Sequence, residues 1–402
     1  MDLRLFAASA LRRAAFLAAL AGLAAPVSAQ PMDHASEEPP AASTRSGSEA
    51  SASAPAATVV AGEDDEIEVE PDRGGDITPG VLPVLGALVP GVLVHGLGHR
   101  IGGDRRTASW LLRAEGVGLG VAVAAGIPLA LTGANRRLAL PAIPLVVGGL
   151  GSFLLGWTAD IYGAAGGARV TGEPRLDAPV LALRAGYLYV HDPQFEYASV
   201  ADFDARARVG PWSVAAAASL ALDDDHQRAR LGGGYRLWGP RPDRASADGT
   251  YFDLDAAVAM SHFGSDGFTT WTGEVFVHGR YDLARIGPSL RGAFADMGVG
   301  LALELADYDD GDTDVGDLLL ADFGFGVYLG RPEGAHGELR VGYDHRRDDF
   351  AGGLAVRGGG GGFAGSFSAS GFVRVAGPWG VSARFELGSA YVAGLGLLYI
   401  GS

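Results

Sequence analysis

The feature that most constrains this chain is a hydrophobic period of two, sustained from about residue 178 onwards. In Tyr197–Val209, "YASVADFDARARV", one face carries Tyr197, Ala201, Phe203, Ala205, Ala207 and Val209. The other carries Asp202, Asp204, Arg206 and Arg208. Gln227–Leu237 repeats the split, with Ala229, Leu231, Tyr235 and Leu237 against Arg228, Arg230 and Arg236. Thr269–Tyr281 sets Trp271, Val275, Val277 and Tyr281 against Thr270, Thr272, Glu274, His278 and Arg280. Leu339, Val341 and Tyr343 oppose Glu338, Arg340 and Asp344, and Val381, Ala383, Phe385 and Leu387 oppose Ser382, Arg384 and Glu386. Alternation repeated over a whole domain means antiparallel strands with one apolar and one polar face.

Such a sheet turns its apolar face inward in a soluble sandwich, or outward towards lipid in a transmembrane barrel. Three properties favour the barrel. Many runs are longer than ordinary soluble strands but suit a tilted membrane strand. Trp271 and Tyr281 lie on one apolar face, at heights about 23 Å apart for a strand tilted about 45°, which matches the spacing of two aromatic girdles. Short connections alternate with long ones. The motifs "RVGPWSV", "ARIGPSL" and "RVAGPWGV" read as tight turns, whereas "DDDHQR", "HFGSDGF", "DYDDGDTDVGD" and "HRRDDFAGG" read as surface loops. "GPRPDRASADG", from Gly239, is long for a turn on the short side. This parity predicts an antiparallel transmembrane β-barrel of about twelve strands over residues 175–402, within bounds of ten to fourteen. The segments 288–307 and 346–361 fit the pattern least.

Over that range the chain resembles the bacterial outer-membrane β-barrel class, including porin-like proteins. The resemblance implies an outer-membrane location, contact with outer-membrane lipid and a polar lumen. Proteins of that class usually end on an aromatic residue, whereas this chain ends "GLGLLYIGS", with Tyr399 three residues from the last position.

The N-terminal part is organised differently. Arg4, Arg12 and Arg13 precede the apolar run Ala14–Ala25, and Val27-Ser28-Ala29 offers a small-x-small cleavage site. Residues 1–29 therefore read as a secretory signal peptide. Residues 30–78 are rich in Ser, Ala, Pro and acid, the composition of a disordered linker. Residues 79–165 contain the apolar runs Gly80–Val94, Gly116–Leu131 and Leu138–Trp157, each approaching a membrane span. Pro79, Pro83 and Pro90 would kink or break the first. Gly116/Gly120 and Gly148/Ser152/Gly156 have the spacing that lets helices pack closely.

Three spans would place the barrel on the wrong side of the inner membrane. Arg100, Arg105 and Arg106 in one connection and Arg136 and Arg137 in the next satisfy no single orientation. The expectation is a small all-α apolar module outside the cytoplasm, packed on the barrel, with a two-span hairpin as the alternative. The module is expected to cap the barrel's periplasmic mouth or to meet an envelope partner.

Within that module, "VLVHGLGHRIGGDRR" places His95 and His99 four residues apart. Gly96 and Gly98 disfavour a helix there. A metal site needs three or four ligands, so the stretch reads as a bend.

The polar strand faces supply the candidate site, a charged lumen. Its residues are Asp202, Asp204, Arg206, Arg208, Arg228, Arg230, Arg236, Asp253, Asp255, Glu274, His278, Arg280, Glu338, Arg340, Arg384 and Glu386. They could fill the lumen as ion pairs or line a narrow solute pore. The acidic run Asp307–Asp317 does not fit an EF-hand, since Gly311 comes one position early and no Glu closes the loop.

With 47 Asp+Glu against 31 basic residues the chain lacks the basic face that nucleic acid requires. The absence of cysteine excludes disulfides and zinc-thiolate sites. No cofactor is expected. GxSxG and HExxH motifs are absent. The acid–His neighbours Asp223, Asp224 and Asp225 with His226, and Asp344 with His345, loosely resemble the surface couples of omptin proteases and define a hydrolase alternative. The leading expectation is a non-enzymatic outer-membrane barrel, either a narrow pore or a structural envelope component. A membrane-anchored periplasmic β-domain is the other alternative.

Overall fold

A computed structural model describes residues 77–133, 136–192, 198–345, 365–388 and 390–401. The signal peptide, nearly all of the linker and the whole of segment 346–361 lie outside the described residues.

Among the described residues twelve strands form one closed antiparallel barrel. They are β1 (Leu181–His191), β2 (Ser199–Val209), β3 (Trp212–Ala221), β4 (His226–Trp238), β5 (Tyr251–Phe263) and β6 (Phe268–Asp282). These are followed by β7 (Ala293–Tyr308), β8 (Thr313–Gly330), β9 (His336–Asp344), β10 (Ser366–Ala376), β11 (Trp379–Leu387) and β12 (Tyr391–Gly401). Each pairs with its sequence neighbour, and β1 closes on β12 from Leu181↔Gly401 to His191↔Tyr391. Closure leaves no unpaired strand edge. The end where β1 starts and β12 finishes is called the base below.

The orientation of the two faces follows directly from exposure. Phe203, Leu231, Trp271 and Leu395 point outward, 47–72% exposed, whereas Asp202, Arg208, Arg236, Asp253 and Glu274 are buried inside. This is the reverse of a soluble barrel, which hides its apolar face.

Two of the three Gly-Pro motifs make two-residue turns at the base, Gly210-Pro211 and Gly377-Pro378. Their glycines have φ of 56° and 53°, conformations that L residues rarely adopt. The third motif, "ARIGPSL", is not the tight turn its sequence suggests. Leu283–Arg285 and Pro288–Leu290 form 3₁₀ turns, and β7 begins only at Ala293. This longer connection is where the helices dock.

The first apolar run does not make a span. It breaks at Pro90 into α1 (Val81–Leu88), a 3₁₀ turn (Pro90–Val92) and α2 (Leu97–Ile101). The next two runs make α3 (Arg105–Leu131) and α4 (Arg136–Ala164). Asp104 starts α3 by accepting the Thr107 N–H at 3.0 Å. Both long helices contain stretches long and apolar enough to cross a membrane, Arg105–Leu131 and Pro141–Ala164.

The helical module lies against the outside of the barrel wall rather than over its mouth. Ala293, Ala295 and Met297 on β7 pair with Val327, Phe325 and Phe323 on β8, a register that puts all six on the outward face. Leu111 of α3 and Leu155 and Ala159 of α4 pack with Ala293 and Phe325 and with Leu283 and Leu290 of the β6–β7 connection. A β-carbon on Gly151 would stand 2.9 Å from the Phe323 ring, so the glycine lets α4 approach the wall.

The mouth is crossed instead by the segment linking α4 to β1. Gly172 N–H donates to the Tyr328 carbonyl (2.6 Å) and Glu173 N–H to that of Gly330, at the end of β8. Further on, the Leu176 carbonyl accepts from Ser246 N–H in the β4–β5 connection, and the Val180 carbonyl from Arg208 N–H on β2. A twelve-stranded barrel is about 24 Å across at about 4.8 Å between strands tilted about 40°. A stretch from Thr171 to Val180 is long enough to bridge it.

Candidate functional site: the charged lumen

Because successive residues of a strand alternate between wall and lumen, each inward position meets inward positions of the neighbouring strands, and the charges pair across them. At the base, Arg236 on β4 grips Asp253 on β5 with Nε and Nη2, at 2.7 and 2.8 Å, and Arg208 on β2 approaches the same carboxylate at 3.5 Å. Beside them, Arg280 on β6 donates to Asp296 through Nε (2.8 Å) and to Glu338 through Nη1 (2.8 Å). Arg340 on β9 joins Asp296 (3.1 Å) to Asp322 (2.8 Å).

Aromatic rings close the spaces between these ions. The Arg280 guanidinium lies 3.7 Å from the Phe294 ring centroid and 5.9 Å from that of Tyr328, and Arg236 lies 4.2 Å from that of Tyr251. Such stacking is strongest where water is excluded. Phe294, Asp296 and Tyr328 are no more than 1% exposed, so the side chains of this layer are closely packed.

Higher in the lumen the packing is looser. Arg230 pairs with buried Glu274, Arg184 with Asp202 (2.7 Å), and Arg384 with Glu386 (3.1 Å). A cavity of about 240 Å³ reaches from there down to the base layer, lined by Arg206, Arg230, Asp255 and His278 and by Tyr251, Asp253 and Asp322 below. Asp204 and Arg228 are half-buried on β2 and β4. Phe276, Ala302, Leu318 and Leu320 form a buried apolar cluster, and Leu188, Val190, Val200 and Val392 form another, near the end opposite the base.

The polar faces of the alternating runs thus account for most of the ionic groups. Sequence reading missed Arg184, Asp296 and Asp322. Each is a single charge in a run of Gly, Ala and apolar residues, where alternation gives no signal. It also missed the aromatics Tyr251, Phe294 and Tyr328, because only polar side chains were read as lumen candidates. Only the register with Arg280 places them inside.

The acid–His neighbours are used structurally. Asp223 accepts the Ala198 and Ser199 N–H groups at 3.0 and 3.1 Å, Ser265 donates to Asp224, and the His226 ring lies against Phe263. Tyr343 and the His345 ring share a hydrogen bond of 2.9 Å. The acidic run Asp307–Asp317 is the extended β7–β8 hairpin, turned by Gly311 at φ 89°. Among the described residues no cluster of three or more His, Asp or Glu side chains is arranged to hold a metal.

A second polar centre lies in the helical module and explains "VLVHGLGHRIGGDRR". The Asp160 carboxylate of α4 is fully buried and accepts from the Gly96, Gly98 and His99 N–H groups at 3.0–3.1 Å. It also meets His99 Nδ1 at 2.6 Å. Glu115 of α3 accepts His95 N–H at 2.7 Å. A chain that leaves helical geometry in a buried place must find partners for its amides. Here two carboxylates supply them, and His95 and His99 are buried beside them.

No protein-family model matches the chain, and no curated protein is similar to it. Solved structures similar to the barrel portion include the β domain of the Bordetella autotransporter BrkA, at 12% identity, covering 56% of this chain and 99% of that one with a TM-score of 0.34. The KdgM porin matches at 7% identity, over 55% of this chain and 99% of that one, with a TM-score of 0.32. The Acinetobacter baumannii outer membrane protein Omp33 matches at 10% identity, over 56% and 99% respectively, with a TM-score of 0.28.

Proposed function

We propose that this chain is an integral β-barrel of a bacterial outer membrane, exported behind a cleaved signal peptide at residues 1–29. We further propose that it works without catalysis, as a structural envelope element whose lumen is closed at its periplasmic end. The membrane reading rests on the inverted faces. A wall that exposes Leu231, Trp271, Val258 and Leu395 while burying Asp202, Asp253 and Glu274 is stable only where the outside solvent is hydrocarbon. The aromatic rims fit the same picture, with Trp212, Trp238, Tyr281 and Trp379 exposed near the base.

The base takes the periplasmic side because it carries the two shortest turns. The closed-lumen reading is supported by the close packing of the Arg280 layer, with Thr171–Val180 passing beneath it. A solute pore requires both to move. A hydrolase gains no support from Asp223 and Asp224, which organise loops.

Outer-membrane fractionation with heat-modifiable gel migration tests the location. Planar-bilayer recording tests the lumen: inserted, folded protein is expected to show no steady conductance. A steady, ohmic channel would replace the structural reading with the pore.

A further inference from the structure

We infer that α3 and α4 form a helical hairpin that crosses the outer membrane beside the barrel, with lipid acyl chains covering its outer faces. The inference rests on the outer-membrane reading above and adds helices to a bilayer region otherwise crossed by strands. Four observations carry it.

The first is position. α4 packs on Ala295, Phe323 and Phe325 and touches Met297, all on the lipid-facing side of β7 and β8. A helix seated on that surface replaces lipid there and so shares its depth.

The second is what the helices leave uncovered. The buried stripe of α3, Leu111, Glu115, Gly118, Ala122 and Ala125, faces inward, while Trp110, Leu112, Val117, Val123 and Ile127 are 48–67% exposed. On α4, Leu145 and Leu150 are exposed as well. A helix with small residues at its contact and large apolar residues outside follows membrane packing rather than soluble packing.

The third is length against charge. After Arg113 and Glu115, α3 has no charged residue from Gly116 to Leu131, and α4 has none between Arg137 and Asp160. The first stretch rises about 24 Å, close to the outer-membrane apolar band of about 25 Å. Arginines bracket it at both ends.

The fourth is how the ends are placed. At the base, the Ser289 hydroxyl donates to Asp104 at 2.6 Å, and the Tyr162 hydroxyl to the Arg291 carbonyl at 2.6 Å. Gly148 lies at the level of Met297, about 10 Å up the wall, and the helix from there back to Arg136 rises about 18 Å more. The tip therefore clears the band on the outer side. A hairpin of this kind returns the chain to the periplasm, so it satisfies the topology that three spans violated.

The absence of cysteine from the sequence makes the test direct. Single variants Val117→Cys, Val123→Cys and Ile127→Cys on α3, Val258→Cys on the barrel wall and Thr132→Cys at the tip are refolded into phosphatidylcholine vesicles. Folding is checked by heat-modifiable migration, and each variant is spin-labelled. Collision with oxygen, which partitions into lipid, is compared with collision with a water-soluble nickel chelate. The hairpin sites are expected to match Val258 within about twofold in the oxygen-to-nickel ratio, and to exceed Thr132 by about tenfold. If Val258 is lipid-exposed while the folded α3 variants collide with nickel, the hairpin inference fails and the barrel stands. If Val258 itself meets nickel, the outer-membrane reading fails. Three independent α3 positions keep the result decisive should one variant fail to fold.

Discussion

Gly118 on α3 and Gly149 on α4 bring the two long helices into backbone contact. A β-carbon on Gly149 would stand 2.4 Å from the Gly118 carbonyl oxygen and 2.8 Å from the Ala122 nitrogen. The neighbours that meet it are backbone atoms, which cannot rotate away. Gly149→Leu is therefore expected to force the helices apart, at a cost of about 1–3 kcal/mol typical of overpacking, or more. The barrel itself is untouched by the substitution. Limited proteolysis should cut the helical module of the variant faster, while heat-modifiable migration persists. Equal protease resistance in the two proteins would mean that the helices do not rely on this contact.

Asp160 holds the bend between α1 and α3 through three backbone amides and the His99 ring. Asp160→Ala strands all of those donors in a place without water. Breaking a buried charged network by removing one partner costs about 3–5 kcal/mol. Trypsin is expected to cut after Arg100 and Arg105 in the variant while sparing the parent protein. Asp160→Asn retains an acceptor of the same shape and should fall between the two. An Asn variant as labile as the Ala variant would show that the negative charge, rather than acceptor geometry, holds the bend.

His95 gives the same region a pH dependence. Burial lowers its pKa from the ordinary 6.5, against the opposing fields of Glu115 and Asp160. The folded module thus binds this proton less readily than the unfolded chain. Stability then rises with pH where the unfolded state holds more protons. It is fully present above the unfolded histidine's range and lost progressively as pH falls below about 6.5. Protease sensitivity of the α1–α2 segment should increase from pH 7 to pH 5 in the parent protein. In His95→Gln, which cannot gain the proton, that increase should shrink. An unchanged pH response in the variant would place the titrating group elsewhere.

How much of this was legible beforehand depended on whether a residue's chemistry announced its face. Leu231 and Arg230, or Trp271 and Glu274, differ so sharply that alternation alone assigns inside and outside, and with them the twelve strands. Around Gly298 and Gly300 on β7 the alternation fades, because glycine has no face to read. Asp296 was lost for that reason, and the start of the strand was placed too early. Small-residue spacing pointed to Gly116 and Gly120, yet nothing approaches either, and Gly118 makes the contact. Spacing shows that a helix can pack closely without showing which stripe is turned to a partner. The seating of α4 on Phe323 and Phe325 was illegible altogether. Those rings suit lipid and a helix equally well.

The proposed closure of the lumen turns on Arg280, which binds Asp296 and Glu338 and stacks on Phe294. Arg280→Ala removes the group common to both carboxylates and the ring. Asp296 keeps Arg340 at 3.1 Å, so the variant retains one of its ion pairs and should still fold, with reduced heat resistance. Loss of the guanidinium leaves a gap beside Phe294 and Tyr328 that water can enter, since the carboxylate of Glu338 is then hydrated rather than paired. Single-channel recording is expected to show brief conducting events in Arg280→Ala that are absent from the parent protein and from Arg384→Ala, which breaks an ion pair away from the base. Phe294→Ala should produce the same events by removing the other half of the stack. If Arg280→Ala and Phe294→Ala both insert, fold and remain silent, the seal lies in the Thr171–Val180 segment rather than in the arginine layer. Substituting that segment's Pro174 by Gly would then be the change that opens the barrel.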